Sequence, residues 1–341
     1  MIGRGLLCGI GAVFLVAADE PPAVPTVLEP YLDEEATFVP GDWGFMRGAF
    51  DDASEQEAAD YAEYVAWRQN CFEESLAQLR LDLSERGYDN ASLQGVSNAP
   101  LLCRMASMVP QIPDHSSFTA FEEEVQRVRP IYESYLLAMH NADAANRPRS
   151  DEFATLLERR VLGEQVLRNG FSWGQGAMAN APEVTPVGLA ILRSALGMEM
   201  AWHDDDNTAW LKQMVAEHGW PRLSEVGPEA SQNAWLLAQH ADADPLFQLD
   251  ALRMMEPLLA DGEVNEQNYA YLYDRVMLKL AGKQRYGTQA HCPAGEFEPQ
   301  PLEDESMVDH FRTEVGLPPL AEYMAFMLEQ FGPCTPPPSL D

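Results

Sequence analysis

The chain has 341 residues, 46% hydrophobic and 22% charged, with 54 acidic side chains against 22 Lys and Arg and a formal net charge of -32. That length allows one large domain or two ordinary ones with a real core. The acidity, the absence of any basic cluster and the presence of only three lysines (Lys212, Lys279, Lys283) argue against nucleic acid as a partner and disfavour an anionic membrane surface.

Residues 1–18, MIGRGLLCGIGAVFLVAA, combine one basic residue, a short apolar run and small residues at the end, the pattern of a cleaved secretory signal. Cys8 raises a lipoprotein reading, but Leu7 is too bulky for the position before a lipidated cysteine. No later run reaches the roughly 20 apolar residues of a membrane helix. The expectation is a soluble periplasmic or secreted protein without stable membrane insertion after cleavage. In an oxidising compartment the remaining Cys71, Cys103, Cys292 and Cys334 suggest two disulfides, and sequence proximity favours Cys71 with Cys103 and Cys292 with Cys334. The alternative is four buried thiols.

Residues 19–45, rich in Pro and acid, read as an extended, poorly ordered leader. Apolar residues spaced by three or four from 52 to 86 predict one long amphipathic helix, with Gly87 as its stop. A second helical stretch runs from Ser117 to about 142, where Pro130 should kink or divide it. A third opens at Ser150 and ends at Gly170. A Gly-rich interval then suggests a soft boundary, separating an N-terminal helical region (46–172) from a C-terminal one (173–332), with 333–341 a tail.

Beyond it, HDDDN before Trp210 reads as the cap of a helix ending at Gly219. Pro228 opens the next, which runs to His240. Asp244-Pro245 starts another, and Asn265 caps a helix closing at Gly282. Two last helices fall near 305–314 and 319–331. Strand signals are scarce and nothing repeats at a fixed period. The class is all-α, an irregular multi-helix array with a short non-helical or hairpin insertion near 285–304.

QHADADPLFQ, residues 239–248, concentrates an imidazole, two amides and carboxylates. Helix punctuation explains His240, in a last turn, and Asp244, an N-cap before Pro at the first helical position. It leaves Gln239, Asp242 and Gln248. An H-x-D-x-D spacing lacks the specificity of established metal motifs, so no metal ligand is assigned. Asp274 and Arg275 sit on an apolar helix, more often a buried structural pair than a site. The P-loop, the G-x-G-x-x-G turn, the G-x-S-x-G elbow and paired C-x-x-C are all missing, and no cofactor is implied.

EHGWP (217–221), QHADADPLFQ, YDRV (273–276), GKQRYGTQ (282–289) and VGLPPLAEY (315–323), in that order, resemble the bacterial domain of unknown function family 6624 over about residues 150–323. GEQVLR (163–168) is similar to its early D-Q-x-x-R element, with Glu164 where Asp is usual. The resemblance singles out His218, Trp220, Pro221, Gln239, His240, Asp242, Asp244, Gln248, Asp274, Arg275, Tyr286, Gly287, Thr288 and Gln289, a set with too many polar members for packing alone.

The expectation is a polar pocket for a small molecule or peptide, bound or hydrolysed, lined by the 239–248 corner, the helix of Asp274 and the 284–289 loop. His240, Asp242 and Asp274 are the candidate catalytic residues. The substrate-binding candidates are Gln239, Gln248, Arg275, Tyr286, Thr288, Gln289, His218 and Trp220. The competing reading is a non-enzymatic cell-envelope interaction module whose polar signature is a buried structural network. Nothing in the pattern sets an oligomeric state.

Overall fold

A computed structural model describes residues 23–145, 152–173, 181–293 and 295–334. The expected signal segment 1–18, the start of the leader, Ser150, part of the Gly-rich interval (174–180) and the end of the tail lie outside the described residues.

The fold is all-α with one small hairpin. In chain order the helices are α1 (Glu55–Glu85), α2 (Leu101–Ser107), α3 (Phe118–Ala145), α4 (Phe153–Gly170), α5 (Pro186–His218), α6 (Leu223–His240), α7 (Pro245–Met255), α8 (Glu266–Ala281), α9 (Val308–Glu314) and α10 (Leu320–Phe331). Between α8 and α9, β1 (Ala290–His291) pairs antiparallel with β2 (Glu298–Pro299), inside the predicted non-helical insertion. Both expected disulfides, Cys71–Cys103 and Cys292–Cys334, are present. No helix among the described residues is long and apolar enough to cross a membrane.

Local sequence sets the helix ends. Ser54 and Glu57 form a capping box at the start of α1. Thr185 caps α5 with Pro186 at its first turn, and Asn265 caps α8. Helix α3 runs undivided through Pro130. Gly227 at φ +81° breaks α6 just before Pro228, which therefore opens a helical segment as its chemistry requires.

Two expectations fail. The segment from residue 23 to 45 is not an extended leader: a 3-10 turn spans Thr26–Tyr31, and Leu28, Phe38, Trp43 and Phe45 are buried in the first core. Pro and acidic residues dominate its composition, but the interspersed apolar residues decide its fate. HDDDN does not cap a helix either, because α5 runs unbroken through it for 33 residues. Three consecutive carboxylates survive mid-helix because each meets its own arginine: Asp204 meets Arg168, Asp205 meets Arg104, and Asp206 meets Arg160.

Two large apolar clusters form the core. The first gathers the 26–50 segment, the first half of α1, α2, α3 and the start of α5, including Tyr64, Val125, Ile191 and Leu196. The second gathers the end of α1, the rest of α5 and α6 to α8, including Leu83, Leu211, Leu237, Phe247 and Leu272. Helices α1 and α5 thus run through both clusters, which do not separate at residue 173.

Candidate functional site

The turn from α6 to α7 is built as the punctuation suggested. Asp244 accepts the Phe247 amide at 2.9 Å and Pro245 takes the first helical position. The fully buried Gln248 then reaches back from α7. Its amide nitrogen donates to the carbonyls of Ala238 (3.2 Å) and Gln239 (2.9 Å), while its carbonyl oxygen accepts from Lys279 at 2.7 Å. Carbonyls in the last turn of a helix have no intrahelical partner, and Gln248 supplies one.

Asp242, at the apex, faces α8. It accepts from Arg275 Nη1 and Lys279 Nζ, both at 2.7 Å. Burial works to raise its carboxyl, but the two cations together hold it well below the usual carboxylate range. Asp242 is therefore an anion at any ordinary pH, and Arg275 has its charge committed to it.

His240 turns the other way, toward α4. Its Nδ1 lies against Oε1 of Glu164, a carboxylate with no solvent exposure. Glu164 also accepts from Arg168 Nε, one turn further along α4, and Arg168 Nη2 donates to both oxygens of Asp204 at 3.0 and 3.1 Å. Burial alone would lift Glu164, yet His240 and Arg168 keep its carboxyl below the ordinary value. Asp204 goes the opposite way: burial, added to the nearby Glu164 charge, pushes it up to about 7 against the pull of Arg168. One guanidinium shared between two carboxylates cannot hold both fully ionised.

His240 lines a cavity of about 700 Å³. One wall comes from Asp204, Thr208 and Lys212 of α5 with the 240–246 corner, and the other from α1 and the 95–101 loop, including Gln78, Asp82 and Asn98. A second cavity of about 210 Å³, between Gln94, Asp242, Arg275 and Gln289, adjoins it at Gly95 and Asp242. His240 and Asp242 border the larger; Asp242, Arg275 and Gln289 border the smaller.

The Asp274 cluster is closed. Asp274 is fully buried and its carboxylate takes four hydrogen bonds, from the amides of Arg285 (2.8 Å), Tyr286 (2.9 Å) and Thr288 (2.8 Å) and from the Thr288 hydroxyl (2.9 Å). Burial pushes this carboxyl up against those four donors, which pull it down. Gly287 sits at φ +66°, and a Cβ there would lie 2.8 Å from Leu320 Cδ1, so only glycine fits. Arg312 donates to the Tyr286 carbonyl at 2.6 Å and the Tyr323 hydroxyl to the Thr288 carbonyl at 3.0 Å. The DRV, YGTQ and LPPLAEY motifs meet here as a clasp around one carboxylate. Asp274 borders neither of these two cavities, and its four hydrogen bonds hold the 285–288 loop.

The remaining expected residues are apart from both cavities. Trp220 is buried in the second core, and His218 is an exposed side chain 3.8 Å from Glu217. Gln239 joins the corner through its backbone carbonyl. Sequence reasoning missed Asp204 as a site residue because the acidic run passed for a cap. Its signal was the arginines on other segments that three adjacent aspartates need.

Residues 176–334 match the model of a family of unknown function (DUF6624), the family that the motifs resemble. Glu164 and Arg168 lie upstream of the match. No curated protein and no solved structure matches the chain.

Proposed function

We propose that this chain is an exported protein that binds a small polar molecule or short peptide in the 700 Å³ cavity and hydrolyses it with His240 as general base. The observation that carries the reading is the buried Glu164 carboxylate against His240 Nδ1. A carboxylate there fixes the Nδ1–H tautomer and stabilises the imidazolium, leaving Nε2 as the base at the cavity wall.

Proton transfer needs an acid as well. Asp204, raised to about 7 and on the same cavity, holds a proton for much of the time near neutrality and can return it to a leaving group. The cavity volume falls in the range of small-molecule sites. Its walls carry Asp82, Asp242 and Asp244, while the cations Lys212 and Arg104 are tied to Asp244 and Asp205. That balance favours a neutral or cationic amide or ester over an anion. Two disulfides support the export part of the reading.

The experiment is turnover of a panel of small neutral and cationic amides and esters by the disulfide-intact protein. Hydrolysis is expected to fall by about 10²- to 10⁴-fold in His240→Ala and Glu164→Gln. Equal turnover in wild type and both variants would remove the reading. The non-enzymatic alternative is favoured by the closed networks at Asp274 and Gln248, and would leave every panel member untouched while His240→Ala weakens only stability.

A further inference from the structure

A second cluster lies at the crossing of α3 and α5, built by residues that the His240 site does not use. Glu199 and His203 stand four residues apart on α5, hence on one face, and His140 reaches them from the last turns of α3. Glu199 Oε1 is 3.3 Å from His140 Nε2 and 3.4 Å from His203 Nε2, and the three atoms lie within 4.8 Å of one another.

These spacings are poor for hydrogen bonding and good for something else. A charge-assisted N–H···O bond runs about 2.7–2.9 Å. His203 Nε2 is buried and has no hydrogen-bond partner, an uncommon condition for a side-chain nitrogen. By contrast, ligands at roughly 2.0–2.1 Å from a tetrahedral zinc ion lie about 3.3 Å apart along each edge. Both Nε2–Oε1 separations match that edge. Two imidazole nitrogens and a carboxylate oxygen gathered this closely can share one cation.

We propose that His140, Glu199 and His203 form a binding site for one divalent transition-metal ion of the zinc type, joining α3 to α5. Imidazole donors select against calcium and magnesium, which prefer all-oxygen surroundings. The histidine side chain of α3 is 52% exposed, so its ring can rotate to shorten the remaining edge and the fourth coordination position opens to solvent. On the side toward α4 the His203 ring faces Gly163, where a Cβ would stand 3.6 Å from it, in ordinary contact. Nothing in this assignment depends on His240 chemistry, and its test does not read activity.

The test uses the disulfide-intact, tag-free chain stripped of metal, titrated with Co²⁺ and then Zn²⁺. One equivalent of Co²⁺ is expected to give the visible absorption of a four-coordinate ion, which one equivalent of Zn²⁺ abolishes. His140→Ala, Glu199→Gln and His203→Ala should each weaken binding at least about tenfold. His218→Ala and His310→Ala remove exposed histidines that also sit beside a glutamate, at 3.8 and 3.4 Å, and should change nothing. Circular dichroism guards against misfolding, and the half-exposed His140 variant keeps the test valid if His203→Ala does not fold. Binding without one-to-one stoichiometry, binding unchanged in the His140 and Glu199 variants, or binding lost in the His218 or His310 variants overturns the assignment.

Discussion

His240 Nδ1 meets Glu164 Oε1 across the junction of α6 and α4, a contact in which the carboxylate has no solvent exposure and the imidazole keeps 14%. The two residues come from motifs 76 positions apart, one inside the family match and one before it. The pair ties upstream sequence to the family's own corner.

That relationship predicts a tautomer. In ¹⁵N NMR of the protein at neutral pH, His240 should be protonated at Nδ1 whether the ring is neutral or charged. Glu164→Gln, which can turn its amide either way, should let the neutral ring populate both tautomers. Glu164→Ala should cost more, about 3–5 kcal/mol in chemical denaturation, because Arg168 and His240 lose a buried counter-charge. A loss under about 1 kcal/mol would mean that the pair is not buried in solution.

Asp204 predicts an unusual pH slope. Its folded value of about 7 lies above the ordinary 3.8, so between those limits the folded protein holds a proton that the unfolded chain has released. The stability it contributes is full below about pH 4 and is lost as pH rises through its folded value, a difference on the order of 4 kcal/mol. Melting temperature should therefore drift down between about pH 4 and pH 7 in the wild type and flatten in Asp204→Asn. A variant with the same slope as wild type would assign the proton elsewhere.

Asp242 has the opposite sign. Its folded value lies below 3.8, so its contribution is present above that pH and disappears as pH falls through the depressed value. The side chain is 50% exposed, and solvent screening limits what the pair with Arg275 and Lys279 is worth. Asp242→Asn should lower stability at neutral pH by about 1 kcal/mol, shrinking further in high salt. Hydrogen–deuterium exchange should show α8 unaffected and the 240–246 corner faster.

Asp274→Asn should behave as a structural lesion. Removing the buried charge from three amides and a hydroxyl should cost about 3 kcal/mol and raise exchange of the 285–288 amides before any other segment. If exchange there is unchanged while hydrolysis collapses, Asp274 takes part in the chemistry after all.

Much of this was legible in the sequence because it follows from local rules. The amphipathic spacing of α1, the Asp244-Pro245 start of α7, the Asn265 cap of α8 and the pairing of Cys71 with Cys103 each depend on a few neighbours. The 23–45 segment was misread because composition averages over Leu28, Phe38 and Trp43, which act singly. Asp204 was misread because an acidic triplet obeys the capping rule unless arginines from α2 and α4 arrive, and only folding brings them. The same limit hid His140, Glu199 and His203, where one ligand lies some 60 positions from the others. Within the family signature, local reading could not separate residues that hold a loop, as Asp274 does, from one that faces open space, as His240 does.

The passage of α1 and α5 through both apolar clusters has a practical consequence for experiments on the family segment. Residues 176–334 expressed by themselves would leave Leu211, Val215 and their neighbours without the end of α1, and would carry the 700 Å³ cavity with one wall missing. Such a fragment should aggregate or bind hydrophobic dyes. The full chain should melt in a single calorimetric step, because neither cluster can open while the other still grips the two shared helices. The unit that folds is larger than the unit that resembles anything.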